Sequence, residues 1–138
     1  MVKDLLENLS KSEGWFFEYG RADFNNLTDV EENKELVHLF LDPVTRGKKR
    51  NDSGVVESKY CLGSFMMLFS SSIDEEDYNE RFEKYIKPIL ESELEKIEDY
   101  LICEGQVLID FWEFKEVINV FDYNCDGLIV NYKIAYDE

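Results

Sequence analysis

The stretch Asp74-Glu-Glu-Asp-Tyr78-Asn-Glu-Arg-Phe82-Glu-Lys-Tyr85-Ile86-Lys-Pro88-Ile89-Leu90-Glu-Ser-Glu-Leu94-Glu-Lys-Ile97-Glu-Asp-Tyr-Leu101 decides the fold. Its apolar residues recur at three- and four-residue steps, which is the spacing of one helix face. This predicts a long helix from Ser72 to about Cys103. The opening run Asp74 to Asp77 puts carboxylates at the positive end of the helix dipole, and Gly105 lies just past the far end. Pro88 lacks an N–H and crowds the preceding turn, so a kink or break is expected there, with Lys87 the last unperturbed residue. From Asp74 to Asp99 there are eleven acidic and four basic residues, a local net of −7 that belongs on the face away from the core.

On the N-terminal side, Val2, Leu5, Leu6 and Leu9 predict a short amphipathic helix that Gly14 stops, followed by the aromatics Trp15, Phe16, Phe17 and Tyr19. Gly20 to Lys34 is polar and reads as a surface connection. Leu36 to Leu41 has strand character, ended by Pro43. Val55 to Ser70 reads as one long strand or two, with Gly63 a candidate bulge. Paired with Leu36 to Leu41, it would form a hairpin whose tip is the polar loop Arg46 to Gly54. Beyond the helix, Val107 to Phe114, Val117 to Phe121 and Leu128 to Ile134 read as strands, with a turn at Asn124 to Gly127 because Asp-Gly is a strong hairpin signal. No repeat or linker interrupts this order. The expectation is a single α+β domain over residues 1–138: a largely antiparallel sheet, a long helix packed on one face, and a short N-terminal helix.

Composition bounds what such a domain does. With 15 Lys and Arg against 31 Asp and Glu in 138 residues, the net charge is −16, yet 44% hydrophobic and 14% aromatic residues mark a chain that folds. That charge disfavours non-specific binding to nucleic acid or an anionic membrane, since both need cationic protein surface. The longest nearly apolar run, Tyr60 to Phe69, is too short to cross a bilayer, and the acidic N-terminus does not resemble a signal peptide. A soluble protein made and kept in the cytoplasm is expected. Cys61, Cys103 and Cys125 are odd in number and show no CxxC spacing, which predicts ordinary thiols rather than disulfides or a zinc site.

Chemistry-bearing motifs are sparse. Asp122-Tyr-Asn124-Cys-Asp126-Gly127-Leu-Ile129 matches the first eight positions of an EF-hand loop. Position twelve is Lys133, a cation where the closing carboxylate is needed, and the flanks favour strands. A β-turn is the stronger reading; a shorter calcium loop without the closing Glu leaves cation binding at Asp122 to Asp126 open. His38, the single histidine, sits in an apolar strand with no nucleophile motif around it and reads as a packing residue. Carboxylate pairs are unavoidable among so many acids, and phosphate-binding glycine motifs are absent. No catalytic residue, cofactor or metal is expected.

Arg46, Lys48, Lys49 and Arg50 stand out instead as the chain's one basic cluster, in a protein otherwise at −20 (11 remaining cations against 31 acids). A solvated loop explains them; so does a loop that reaches an acidic surface, the nearest of which is a neighbouring copy. On that reading these four residues are a subunit-contact loop in a homo-oligomer.

Phe17-Glu-Tyr-Gly20 with Asn25-Asn-Leu27, Leu39-Phe-Leu-Asp-Pro-Val-Thr45, Gly63-Ser-Phe-Met-Met-Leu68 and Val117-Ile-Asn-Val-Phe-Asp-Tyr-Asn-Cys-Asp-Gly-Leu-Ile-Val-Asn-Tyr-Lys-Ile134 span most of the chain. In order and texture they resemble small tailed-bacteriophage proteins of the tail-completion or tail-terminator kind, which form rings at the head–tail junction. The resemblance implies a virion protein assembled in the host cytoplasm: an α+β subunit that lines a ring, contacts its neighbour through a β-hairpin arm and has no catalytic residues. Its partners would be copies of itself and neighbouring connector or tail proteins, with DNA passing by without specific recognition. An acidic lumen suits that passage because it repels phosphate. The rival reading is an acidic DNA mimic that inhibits a host DNA-binding protein, supported by the −7 helix and opposed by the basic loop. An enzyme with an unrecognised site is the third.

Overall fold

The computed structural model describes residues 2–20, 36–70, 77–120 and 125–136. The first helix, α1 (Val2–Glu13), buries Val2, Leu6 and Leu9. It stops where the sequence says it should: Gly14 takes φ +77°, a left-handed conformation that costs glycine little, and Trp15 N–H donates back to the Ser10 carbonyl. The aromatic run that follows is a strand, β1 (Phe16–Tyr19), lying parallel to β2 (His38–Leu41). The polar connection expected at Gly20 to Lys34 lies, beyond Gly20, outside the described residues.

The run Arg46 to Gly54 is not a loop. Its first part is a strand, β3 (Thr45–Arg50), antiparallel to β4 (Val56–Ser70). Leu36 to Leu41 does pair antiparallel with Val55 to Ser70 as predicted, but the tight hairpin on β4 is made by β3, because β2 and β3 follow one another along the same edge of β4. Phe65–Leu68 pairs with β2, and Val56–Leu62 pairs with β3. Between them Asp42 keeps contact with β4, its N–H donating to the Ser64 carbonyl while its carboxylate accepts from Ser64 Oγ, and then Pro43 breaks the ladder. The β3–β4 tip is Asn51 to Val55, held by the Asn51 side chain, which accepts from the N–H groups of Ser53 and Val55.

β4 is one strand, and its pairing runs unbroken through Gly63, so no bulge occurs there. β5 (Leu108–Val120) is likewise one strand where two were expected, with irregularities between Ile109 and Phe111 and between Val117 and Val120. β6 (Cys125–Tyr136) starts earlier than predicted and takes in Asp126 and Gly127, which pair with Phe69 and Leu68. The expected turn at Asn124 to Gly127 is thus corrected for Cys125 to Gly127; Asn124 lies outside the described residues. The result is a six-stranded mixed sheet of order β1-β2-β4-β6-β5, with β3 also on β4, antiparallel everywhere except β1 against β2.

The long helix, α2, covers residues 78–103 and lies on one face of this sheet. Asp77 caps it by accepting from the Asn79 N–H at 2.9 Å; the part predicted from Ser72 to Glu76 lies outside the described residues. The helix is bent, as a proline inside it leads one to expect, but it is not broken. The helix widens instead, in Phe82–Ile86 and again in Ile89–Glu93, where the N–H groups of Lys87 and Leu94 reach back five residues to Phe82 and Ile89. The wider turn accommodates a ring that cannot donate, and the perturbation begins five residues ahead of Lys87 rather than after it. Ile86, Ile89, Leu94, Ile97 and Leu101 are buried against Leu39, Phe65, Met67, Leu128, Val130 and Ile134, each burial contributing about 1.5–3 kcal/mol. This is the predicted α+β architecture. The alternate strand positions face the other way, where His38, Phe40, Met66, Leu68 and Cys125 are also buried.

Candidate functional site

Arg46, Lys48, Lys49 and Arg50 are all exposed on β3, whose described neighbour is β4 alone. Alternation along the strand sends Lys49 to the face opposite Lys48, so the cluster is a cationic edge rather than a cationic tip. Arg50 donates to the Gly54 carbonyl at 2.9 Å and braces the turn. Arg46, Lys48 and Lys49 form no ion pair among the described residues. Charged side chains on an edge strand also block uncontrolled strand addition, which is reason enough for lysines at such a position.

The arm borders a groove of about 700 Å³ on the sheet face away from α2, lined by Lys48, Lys49, Tyr60, Leu62, Leu108 and Lys133 among others. Glycine shapes its floor: the Tyr60 ring lies across Gly47, where any Cβ would collide with it. Lys133 Nζ sits 5.2 Å from the centre of that ring and 3.5 Å from Asp110 Oδ2. Opposite β3 the rim mixes Leu108, 69% exposed, with Gln106 and Asp110. Sequence reasoning missed this groove. Tyr60, Leu62 and Lys133 share it only because β4 pairs with both β3 and β6, and no short-range signal carries that pairing.

The other sequence candidates are placed differently. Asp126 is fully buried, and Arg81 Nη1 donates to both its carboxylate oxygens at 3.3 and 3.1 Å. The pair ties the first turn of α2 to the start of β6, so this carboxylate is partnered by a guanidinium; Asp122 and Asn124 lie outside the described residues. A signal for Asp126 existed, since it shares strand parity with the buried Leu128, Val130, Tyr132 and Ile134. His38 is buried between Phe16 and Phe40, with ring centres 5.2 and 5.6 Å away. Cys61 and Cys125 are buried and Cys103 is exposed. Burial, with the Asp126 carboxylate adding to it, pushes the Cys125 thiol up to about 12. Among the described residues no three of His, Cys, Asp and Glu gather as a metal would require, and no helix is long and apolar enough to cross a membrane.

Of the acids of α2, Glu80, Glu83, Glu91, Glu95 and Asp99 are exposed, whereas Glu93 accepts from Trp15 Nε1 at 3.0 Å and Glu98 is half-buried. In the first half of α2 the acids are interleaved with lysines at i,i+4, pairing Lys84 with Glu80 and Lys87 with Glu83. Lys96 bonds Glu13 at 3.0 Å and also Glu93, joining α2 to α1, and both contacts raise its pKa, the Glu13 bond most. Past it, Glu98 has its pKa raised by partial burial first and then by Glu95 and Asp99 beside it. Fold and surface together define a small α+β protein with a cationic sheet edge and an acidic helical back. No protein-family model matches the chain, and no curated protein shows significant similarity to it.

Proposed function

We propose that the protein is a structural subunit of a tailed-bacteriophage virion, which forms or joins an oligomeric ring at the head–tail connector or tail apparatus through which DNA passes. The observation that carries this reading is the separation of charge within one chain, a cationic hairpin edge in a molecule of net −16. Copies that repel one another overall need offsetting contacts to associate, and opposite charges that meet locally supply them. Residues 45–62 hold five cations and two acids, a net of +3, while residues 90–104 hold six acids and one cation, a net of −5. The role is mechanical: neighbouring copies and adjoining ring proteins are the partners, and DNA is kept moving by repulsion rather than bound.

The lysines interleaved along the first half of α2 weigh against a DNA mimic, which needs an unbroken row of negative charge. Sedimentation velocity over a concentration series tests the proposal, with wild type beside the variant Arg46→Ser/Lys48→Ser/Lys49→Ser/Arg50→Ser. Wild type forms a discrete oligomer and the variant, still folded, stays monomeric. Equal assembly of the two would remove the arm from the account.

A further inference from the structure

The groove beside the arm faces away from α2. Tyr60, Leu62 and Lys133 occupy strand positions that alternate with Cys61, Tyr132 and Ile134, which are buried under the helix. Among the described residues no helix covers this side of the sheet, and the groove has Tyr60, Leu62 and Ala135 in its floor with Lys133 tied to Asp110 beside them, and Lys49 on the wall formed by β3. Such a surface suits a ligand with apolar side chains and carboxylates on one face. A nucleic-acid backbone has the charge but meets a chain of −16 everywhere else.

One segment of this same chain has the required chemistry. On the last part of α2, Leu94–Cys103, residues Glu95, Glu98, Asp99 and Ile102 follow one another at steps of three, one and three, which makes a single stripe. Glu95 and Asp99 are exposed, and Ile102 is 51% exposed, an apolar knob at the end of an acidic row. Burial raises the Glu98 pKa most, and the neighbouring Glu95 and Asp99 add to it; a lysine placed over the stripe offsets the repulsion among the three. Size agrees as well. The groove crosses the four strands β3, β4, β6 and β5, about 14 Å at the usual spacing, and the ten residues of Leu94–Cys103 span about 15 Å.

We propose that the groove receives the Glu95, Glu98, Asp99 and Ile102 stripe of a second copy of the chain. Stripe and groove lie on opposite sides of the sheet, so one molecule cannot join its own. The contact is head to tail, and repetition of it yields a closed ring or an open filament. This inference rests on the assembly reading above and names the surfaces that meet.

Two charge-reversed variants test it, each altered only at exposed positions and checked for folding by circular dichroism. One carries Lys49→Glu in the groove wall, the other Glu95→Lys/Asp99→Lys on the stripe. Each alone sets like charge against like, and self-association measured by light scattering falls about tenfold or more. Mixed in equal amounts, each stripe meets an opposite groove, and assembly returns to within about threefold of wild type. Variants that assemble like wild type, or a mixture that fails to recover, would overturn the helix-in-groove contact and leave the ring reading standing. A wild type that stays monomeric at every concentration would overturn both.

Discussion

Asp126 and Arg81 hold a carboxylate and a guanidinium out of water between β6 and α2, at 0% and 1% exposure. Such a pair fixes position more than it stabilises, because desolvation offsets most of the attraction. Removing one partner is another matter. Asp126→Ala takes the carboxylate away from a buried guanidinium and costs about 3–5 kcal/mol in urea unfolding, whereas Asp126→Leu with Arg81→Met costs distinctly less. Glu98 works in the opposite sense. Its pKa is raised in the folded chain, so the fold binds that proton more tightly, and stability falls as pH climbs above the ordinary value of 4.5. Glu98→Gln therefore raises stability at pH 7, by no more than about 0.5 kcal/mol at a half-buried surface site that water still screens. The gain vanishes in acid below 4.5, where Glu98 is protonated in both states. Thermal melts at the two pH values read the difference.

At the level of elements, apolar periodicity made both helices legible, and Gly14 marked the end of α1 correctly, because each helix must bury a continuous stripe. β3 was not legible. Arg46 to Arg50 has no face to bury, so it shows no alternation, and its strand geometry comes from pairing with Val56–Leu62 rather than from its own residues. Asp126-Gly127 misled for a different reason. Gly127 is needed because a Cβ there would run into the Met67 carbonyl and Leu68 Cα, so its small size serves close strand packing and not a turn. Gly127→Ala forces β6 away from β4 and costs about 1–3 kcal/mol, read from the urea midpoint. Gly47→Ala displaces the Tyr60 ring and alters the groove while the core beneath α2 keeps its packing. Of the candidate site, the four cations were visible in the sequence; the groove beside them was not, since it is assembled by β3, β4, β6 and β5 together.

For the whole molecule, a net charge of −16 sets the terms of any assembly. Long-range repulsion is screened within about 8–10 Å at physiological salt, whereas contacts between opposed surfaces that exclude water are screened less. Moderate salt therefore promotes association of copies that carry a cationic edge and an acidic back, up to the point where the contacts themselves weaken. The most direct test is native mass spectrometry of the purified chain across concentration, begun at low ionic strength and repeated after incubation at physiological salt. The account predicts one closed oligomer of fixed copy number that grows in with salt. A chain that is monomeric under every condition would contradict it.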